Sequence, residues 1–199
     1  MNTPDPFEVF AEQDFPLDVE SVQAPEPPAP DLHRMDPQIA QMRLPPQSIE
    51  AEQAVLGGLL LDNRAMEHIN GIVYEHDFYR HDHRLIWHHI NELINLDRPA
   101  DVITVAESLR LVNKEDEAGG LVYLNSLASN TPSAANILRY AEIVRERSML
   151  RQLVSASDEI AATAFNPQGR PARQLLDEAE SKIFMISQAS GQNQGDFHS

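Results

Sequence analysis

The chain contains no cysteine, which excludes disulfides, thiol nucleophiles and cysteine–metal sites and agrees with a reducing compartment. Aromatic residues make up only 6% of it, which suits an aliphatic helical core better than a β-sandwich. Lysine is nearly missing. Lys114 precedes Glu115 and Lys182 precedes Ile183, so neither supplies the Gly-Lys-Ser/Thr of a phosphate-binding P-loop. Gly119-Gly120 follows no strand pattern and does not fit a dinucleotide fingerprint. No basic residue precedes Arg34, and no apolar run approaches the length of a membrane span. A cytoplasmic chain without membrane partners is therefore the expectation.

Acid is what the sequence has in excess. The formal charge is −16 and the pI is near 4.7, which argues against a broad grip on a phosphate backbone. Residues 1–33 carry eight acids, frequent prolines and no Lys or Arg, so they read as a disordered tail. Phe7, Val9, Phe10, Phe15 and Leu17 interrupt its acids, as a short docking motif would.

Beyond the tail, helical periodicity dominates and strand alternation is absent, which predicts an all-α fold. The organising stretch is Leu44 to Asn63. Pro45-Pro46 stops upstream structure, Ser48 can cap, and Glu50 and Glu52 suit the first-turn dipole of a helix over about 48–61. Ile49, Val55, Leu56, Leu59 and Leu60 form its apolar face. Ala51, Ala54, Gly57 and Gly58 form a small face that predicts close approach by another backbone. Further helices follow: one over about 64–73 capped by Asn63, one capped by Asp82 with Trp87 at its flank, one capped by Asp101, and one after Gly119-Gly120. From Ala134 to about Phe165 the pattern stays helical over roughly 48 Å. That is too long to bury in a small domain, and Ser155 to Asp158 is the expected bend. Helix breakers at Asn166 to Pro171 precede a separate amphipathic helix over about 172–187, striped by Leu175, Leu176, Ala179, Ile183 and Phe184. Such a helix needs a partner surface. Residues 191–199 read as a frayed end.

His81, His83, His88 and His89 invite a metal reading. No two of them stand three or four apart, the spacing that points two helical ligands at one ion, so capping and exposure explain them better. No metal ligand, cofactor site or catalytic group is assigned. The residues alone describe an acidic helical interaction module, with a small hydrolase built on acids or the histidine cluster as the rival.

Several ordered motifs then carry a resemblance. They are Leu44 to Asn63; Asp77-Phe78-Tyr79 with His83 to Trp87; Asp101 to Glu107; Gly119 to Leu124; Asn130 to Asn136; Tyr140 to Arg147; and Leu175 to Glu180. From about Arg34 to Ser187 the chain resembles the N-terminal domain and linker helix of bacterial DnaB-family replicative DNA helicases. The resemblance implies an ATP- and magnesium-dependent hexamer that unwinds DNA 5′ to 3′, in which this part forms a collar of paired domains and docks a DnaG-type primase. Residues 34–165 would be the collar domain, with a dimerisation hairpin from about 134 that pairs through Leu150, Leu153, Val154 and Ile160. Glu50 and Tyr123 would meet the partner. Residues 166–190 would be the linker and linker helix. That helix would lack its own partner in this chain and would dock on a neighbouring subunit or a helicase loader. DNA, ATP and magnesium would belong to a RecA-like motor domain, which would begin where this chain stops. The chain reads as a fragment without ATPase or unwinding activity of its own. A free-standing replication adaptor is the alternative, and the gene sequence beyond Ser199 discriminates the two.

Overall fold

The computed structural model describes residues 44–131 and 133–191, and every regular element among them is helical. The expected disordered tail, residues 34–43 of the expected collar domain and the frayed end past Gly191 lie outside the described residues. Seven α-helices follow one another: α1 (Ile49–Leu61), α2 (Met66–Ile69), α3 (His81–Asn95), α4 (Val102–Leu111), α5 (Gly120–Asn130), α6 (Ile137–Phe165) and α7 (Ala172–Gly191). Short 3₁₀ turns lie at Asn63–Ala65, Glu75–Asp77 and Ala134–Asn136.

The helix α1 is the axis of a helical head. Ser48 caps it through Oγ, 3.4 Å from the Ala51 amide. Its apolar side, Val55, Leu56 and Leu59, is fully enclosed with Ile86 and Ile90 of α3, Leu109 of α4, Leu124 of α5 and Ile137 of α6. Each such side chain contributes about 1.5–3 kcal/mol relative to exposure. Its small face is buried as well. A Cβ on Gly57 would stand 2.1 Å from Thr131 Oγ1 and 2.3 Å from the Leu127 carbonyl oxygen, so the end of α5 lies directly on the glycine backbone. Gly58 is looser, its nearest neighbour being Ile137 Cδ1 at 3.2 Å. The expected close approach is thus present, and Gly57 is its centre.

Several boundary expectations are corrected. Asp62, not Asn63, caps the first 3₁₀ turn, accepting from the Arg64 amide. Asn63 turns inward instead and ties Leu59 to Ala100 through three hydrogen bonds of 2.7–2.9 Å. Its helix is only a 3₁₀ turn plus α2, and Gly71 follows at φ +80°. Asp82 does not cap α3. Arg80 holds that position without a side-chain bond, and Asp82 pairs with the Arg80 guanidinium. Trp87 is buried rather than flanking, tilted against Phe78. Asp101 does cap α4, accepting from the Ile103 and Thr104 amides at 2.9 Å.

The largest correction concerns the long helical segment. The helix does not break at Ser155 to Asp158, and α6 runs on for 29 residues, about 43 Å. Its first half packs in the head through Ile137, Ala141 and Val144. Its second half packs against α7. The hairpin is therefore α6 with α7, not a fold within 134–165, and the helix expected to lack a partner in this chain has one. The reversal at Asn166 to Pro171 uses Gln168 and Gly169, both at positive φ. Lys182 to Glu159 ties the arms, and Arg170 to Glu178 ties the reversal to α7.

Candidate interaction surfaces

Three features of the surface stand out: the hairpin, its root, and a polar network under Tyr123. In the hairpin, Ala156 of α6 is buried, and Leu175, Ala179 and Ile186 of α7 are half-buried. Ile160 lines a cavity of about 580 Å³ near the reversal. The other apolar residues face outward. Leu153 is 44% exposed, Val154 50%, Leu176 62% and Phe184 61%, and Leu150 and Ile183 are exposed as well. The candidate pairing residues are thus split. Leu150, Leu153 and Val154 lie on the open face, and Ile160 lies between the arms. The α7 stripe divides likewise, with Leu175 and Ala179 inward, Ile183 and Phe184 outward, and Leu176 exposed at the edge of the cavity that Ile160 lines.

The root of the hairpin is held by two arginines that read in sequence only as a charged segment. Arg145 donates to the buried Asp77 carboxylate at 2.8 Å and lies over the Tyr74 ring. The other Asp77 oxygen accepts from the Tyr74 amide at 2.8 Å. Arg151 donates to the Pro46 carbonyl at 2.8 Å and the Asp77 carbonyl at 2.5 Å, and stacks over Tyr79. Burial pushes the Arg151 guanidinium below its ordinary pKa, with Glu52 and Asp77 opposing that shift. The head and the long helix are therefore joined by charge-assisted bonds as well as by apolar contact.

Glu50 and Tyr123, the proposed partner contacts, differ in setting. Glu50 is exposed on the rim of a groove of about 430 Å³ between α1, α5 and α6, lined also by Ser48, Gln53, Asn130 and Tyr140. Tyr123 is half-buried and bonded internally. Its hydroxyl stands 2.6 Å from His83 Nε2 and accepts from Gln53 Nε2 at 3.2 Å. Its ring stacks on His83, and the Arg80 guanidinium lies 5.5 Å from its centroid. His83 Nδ1 in turn stands 2.6 Å from Glu52, which is 1% exposed and also accepts the amides of Tyr79 and Arg80.

The reading of the histidines as capping and exposed is therefore half corrected. His81 and His88 are exposed, but His83 is enclosed and His89 is buried against Ser108 Oγ at 2.8 Å. Among the described residues no three His, Asp or Glu side chains converge as metal ligands would. The sequence did hold a signal for Glu52. It lies three and four residues before Val55 and Leu56, on the apolar face. Arg145 likewise follows buried Ala141 by four.

A closed helical head with an open apolar hairpin defines a docking and assembly module. The sequence agrees with that class, because the profile of the DnaB-like helicase N terminal domain matches residues 44–146. The chain belongs to the DnaB helicase N-terminal domain family. It is 43% identical over 159 residues to the replicative DNA helicase DnaB of Haemophilus influenzae, covering 80% of this chain and 34% of that protein. It is 42% identical over 146 residues to the same helicase of Geobacillus stearothermophilus, covering 73% and 32% respectively. The chain spans about a third of the length of the curated relatives it matches. In fold it is similar to the N-terminal domain of DnaB helicase from Mycobacterium tuberculosis, with a TM-score of 0.68 and 36% identity, covering 71% of this chain and 99% of that one. A DnaB-like replicative helicase, whose structure was described with its interactions with primase, shares the fold at a TM-score of 0.57 and 23% identity, over 70% of this chain and 31% of that one. No described helix is long and apolar enough to cross a membrane.

Proposed function

We propose that this chain serves as the collar of a replicative DNA helicase: it pairs subunits through the α6–α7 hairpin and docks a DnaG-type primase on the head. The observation that carries the pairing is the open apolar face of the hairpin, Leu153 and Val154 on α6 with Leu176 and Phe184 on α7. An isolated helical arm leaves such a face in water only at a cost, and a second hairpin removes it. Primase docking draws on the family and on Glu50 beside the α1–α5–α6 groove, with Tyr123 one helix away. In the full-length hexamer, unwinding would use ATP and magnesium in a motor domain, and DNA would be held mainly there. The residues of this chain hold no P-loop lysine for such a site. Whatever part of α7 a second hairpin leaves uncovered would be available to a neighbouring subunit or a loader.

Light scattering of the chain at rising concentration tests the reading. Dimers or larger assemblies are expected, and a strict monomer at high concentration sinks the pairing role. Titration with the C-terminal domain of the cognate primase tests the second role. Saturable binding that Glu50→Lys weakens is expected. Unchanged binding of that variant would remove Glu50 from the docking face.

A further inference from the structure

Beneath Tyr123 lies a buried polar chain. Gln53 Nε2, the Tyr123 hydroxyl, the His83 ring and the Glu52 carboxylate follow one another at 3.2, 2.6 and 2.6 Å. The last two residues have no access to solvent, being 0% and 1% exposed. Buried polar groups must be satisfied, and here the satisfaction has a direction.

The direction starts from groups that cannot change role. Glu52 receives the backbone amides of Tyr79, at 2.6 Å, and Arg80, at 3.4 Å. Its oxygens therefore accept, and His83 Nδ1, 2.6 Å away, must bring a proton. In the neutral ring that one proton leaves Nε2 bare, to accept the Tyr123 O–H. The Tyr123 oxygen then accepts from Gln53. Every donor meets one acceptor. A second ring proton would break this order, because the Tyr123 O–H would lose its inward partner.

We propose that Glu52 and His83 are positioning residues for Tyr123: they engage its hydroxyl proton inward and fix its ring, so that this residue offers a docking partner an acceptor oxygen and a held aromatic edge. A free tyrosine hydroxyl rotates and can donate or accept. A wired one can only accept, and the partner group that meets it must be an N–H or O–H donor. Holding the ring in advance also reduces the ordering cost of association. Arg80, over the ring at 5.5 Å and paired with Asp82, adds a second restraint. The docking consequence rests on the primase reading above, whereas the wiring does not.

Nitrogen-detected NMR of the His83 ring in the 1–199 chain reads the wiring directly. The proton is expected on Nδ1, with a bare Nε2 whose resonance moves in Tyr123→Phe while the rest of the spectrum holds. A proton on Nε2, or on both nitrogens, overturns the proposal. Binding of the cognate primase C-terminal domain reads the consequence. Tyr123→Phe and His83→Leu are each expected to weaken it about five- to tenfold, the worth of one hydrogen bond, and no further when combined. His83→Gln, whose amide oxygen can accept the same proton, is expected to restore most of the loss. Losses that multiply in the double variant would give His83 a merely structural role and overturn the positioning. If Tyr123→Ala leaves primase binding intact while the ring carries its proton on Nδ1, the docking assignment fails and the wiring stands.

Discussion

The helices α1 and α7 make an instructive pair. Both carry apolar or small residues on more than one side. Every residue of α1 from Val55 to Leu60 is buried, because α3, α5 and α6 surround it. No described side chain of α7 is fully buried, because the helix that α7 packs against extensively is α6. An all-round apolar helix belongs in the middle of a domain, and a two-faced one with a single neighbour still has a face to cover. The head has closed on itself, and the hairpin has not. The difference explains why one chain combines a self-sufficient fold with an assembly surface.

The greatest loss should come from cutting the bond that joins the two regions. Arg145→Met leaves the Asp77 carboxylate fully buried without its cation, at a cost of about 3–5 kcal/mol. Urea denaturation followed by circular dichroism measures it. Asp77→Asn in the same chain should recover part of the loss, since no charge then remains to be compensated. A cost below about 1 kcal/mol would show that apolar packing alone roots the hairpin.

Next comes the closure of the head itself. Gly57→Ala in an ordinary helix would gain about 1 kcal/mol. Here the new methyl meets backbone of α5, and a loss of about 1–3 kcal/mol is expected. Gly58→Ala, which meets the movable end of Ile137 at 3.2 Å and Ala134 at an ordinary 3.6 Å, should cost much less. Equal costs at the two sites would mean that α5 can slide and that the head is less tightly closed than its packing indicates.

These two sites also mark what could be read from the sequence. The organising helix, its cap and the approach of a second backbone were legible, because spacing and glycine content are local signals. The choice of Gly57 over Gly58 was not, since it depends on where α5 arrives. The hairpin was legible as an overlong helix with helix breakers after it. Its second arm was misassigned, because a lone amphipathic stripe does not state which chain will cover it. Glu52, Asp77, His83 and Arg145 were missed for one shared reason. Composition reads a charged residue as a solvated one, and their partners lie 31 and 68 positions apart along the chain.

The hairpin face gives the third test. Leu153→Asp with Phe184→Asp places two carboxylates on exposed positions, so the head's thermal transition should stay within about 0.5 kcal/mol of its parent. Self-association should weaken by about 2 kcal/mol or more, as for central apolar contacts of an interface. Sedimentation equilibrium separates the two. A fall in the thermal transition with the dimer intact would place these residues in the core rather than the interface.

The smallest effect expected is a dependence on pH confined to the head. Burial in α3 holds the His89 ring below its ordinary value of 6.5, and the neighbouring His88 pushes the same way, with Glu92 and Glu75 opposing. In the unfolded chain the ring takes up its proton near 6.5, while in the folded chain it resists. The unfolded state therefore binds more protons as pH falls. The contribution is full above 6.5 and is lost as pH drops through 6.5 toward the lowered folded value. His89→Gln, which can keep a bond to Ser108, should flatten that part of the slope in thermal transitions recorded from pH 7.5 to 5.5. The hairpin should not share it, since no histidine lies between Ile137 and Gly191 and the bond from Lys182 holds the Glu159 carboxyl below its ordinary range. Self-association of the parent chain that weakens over the same pH interval, and no longer does so in His89→Gln, would show that the two regions titrate together and would undo the separation between them.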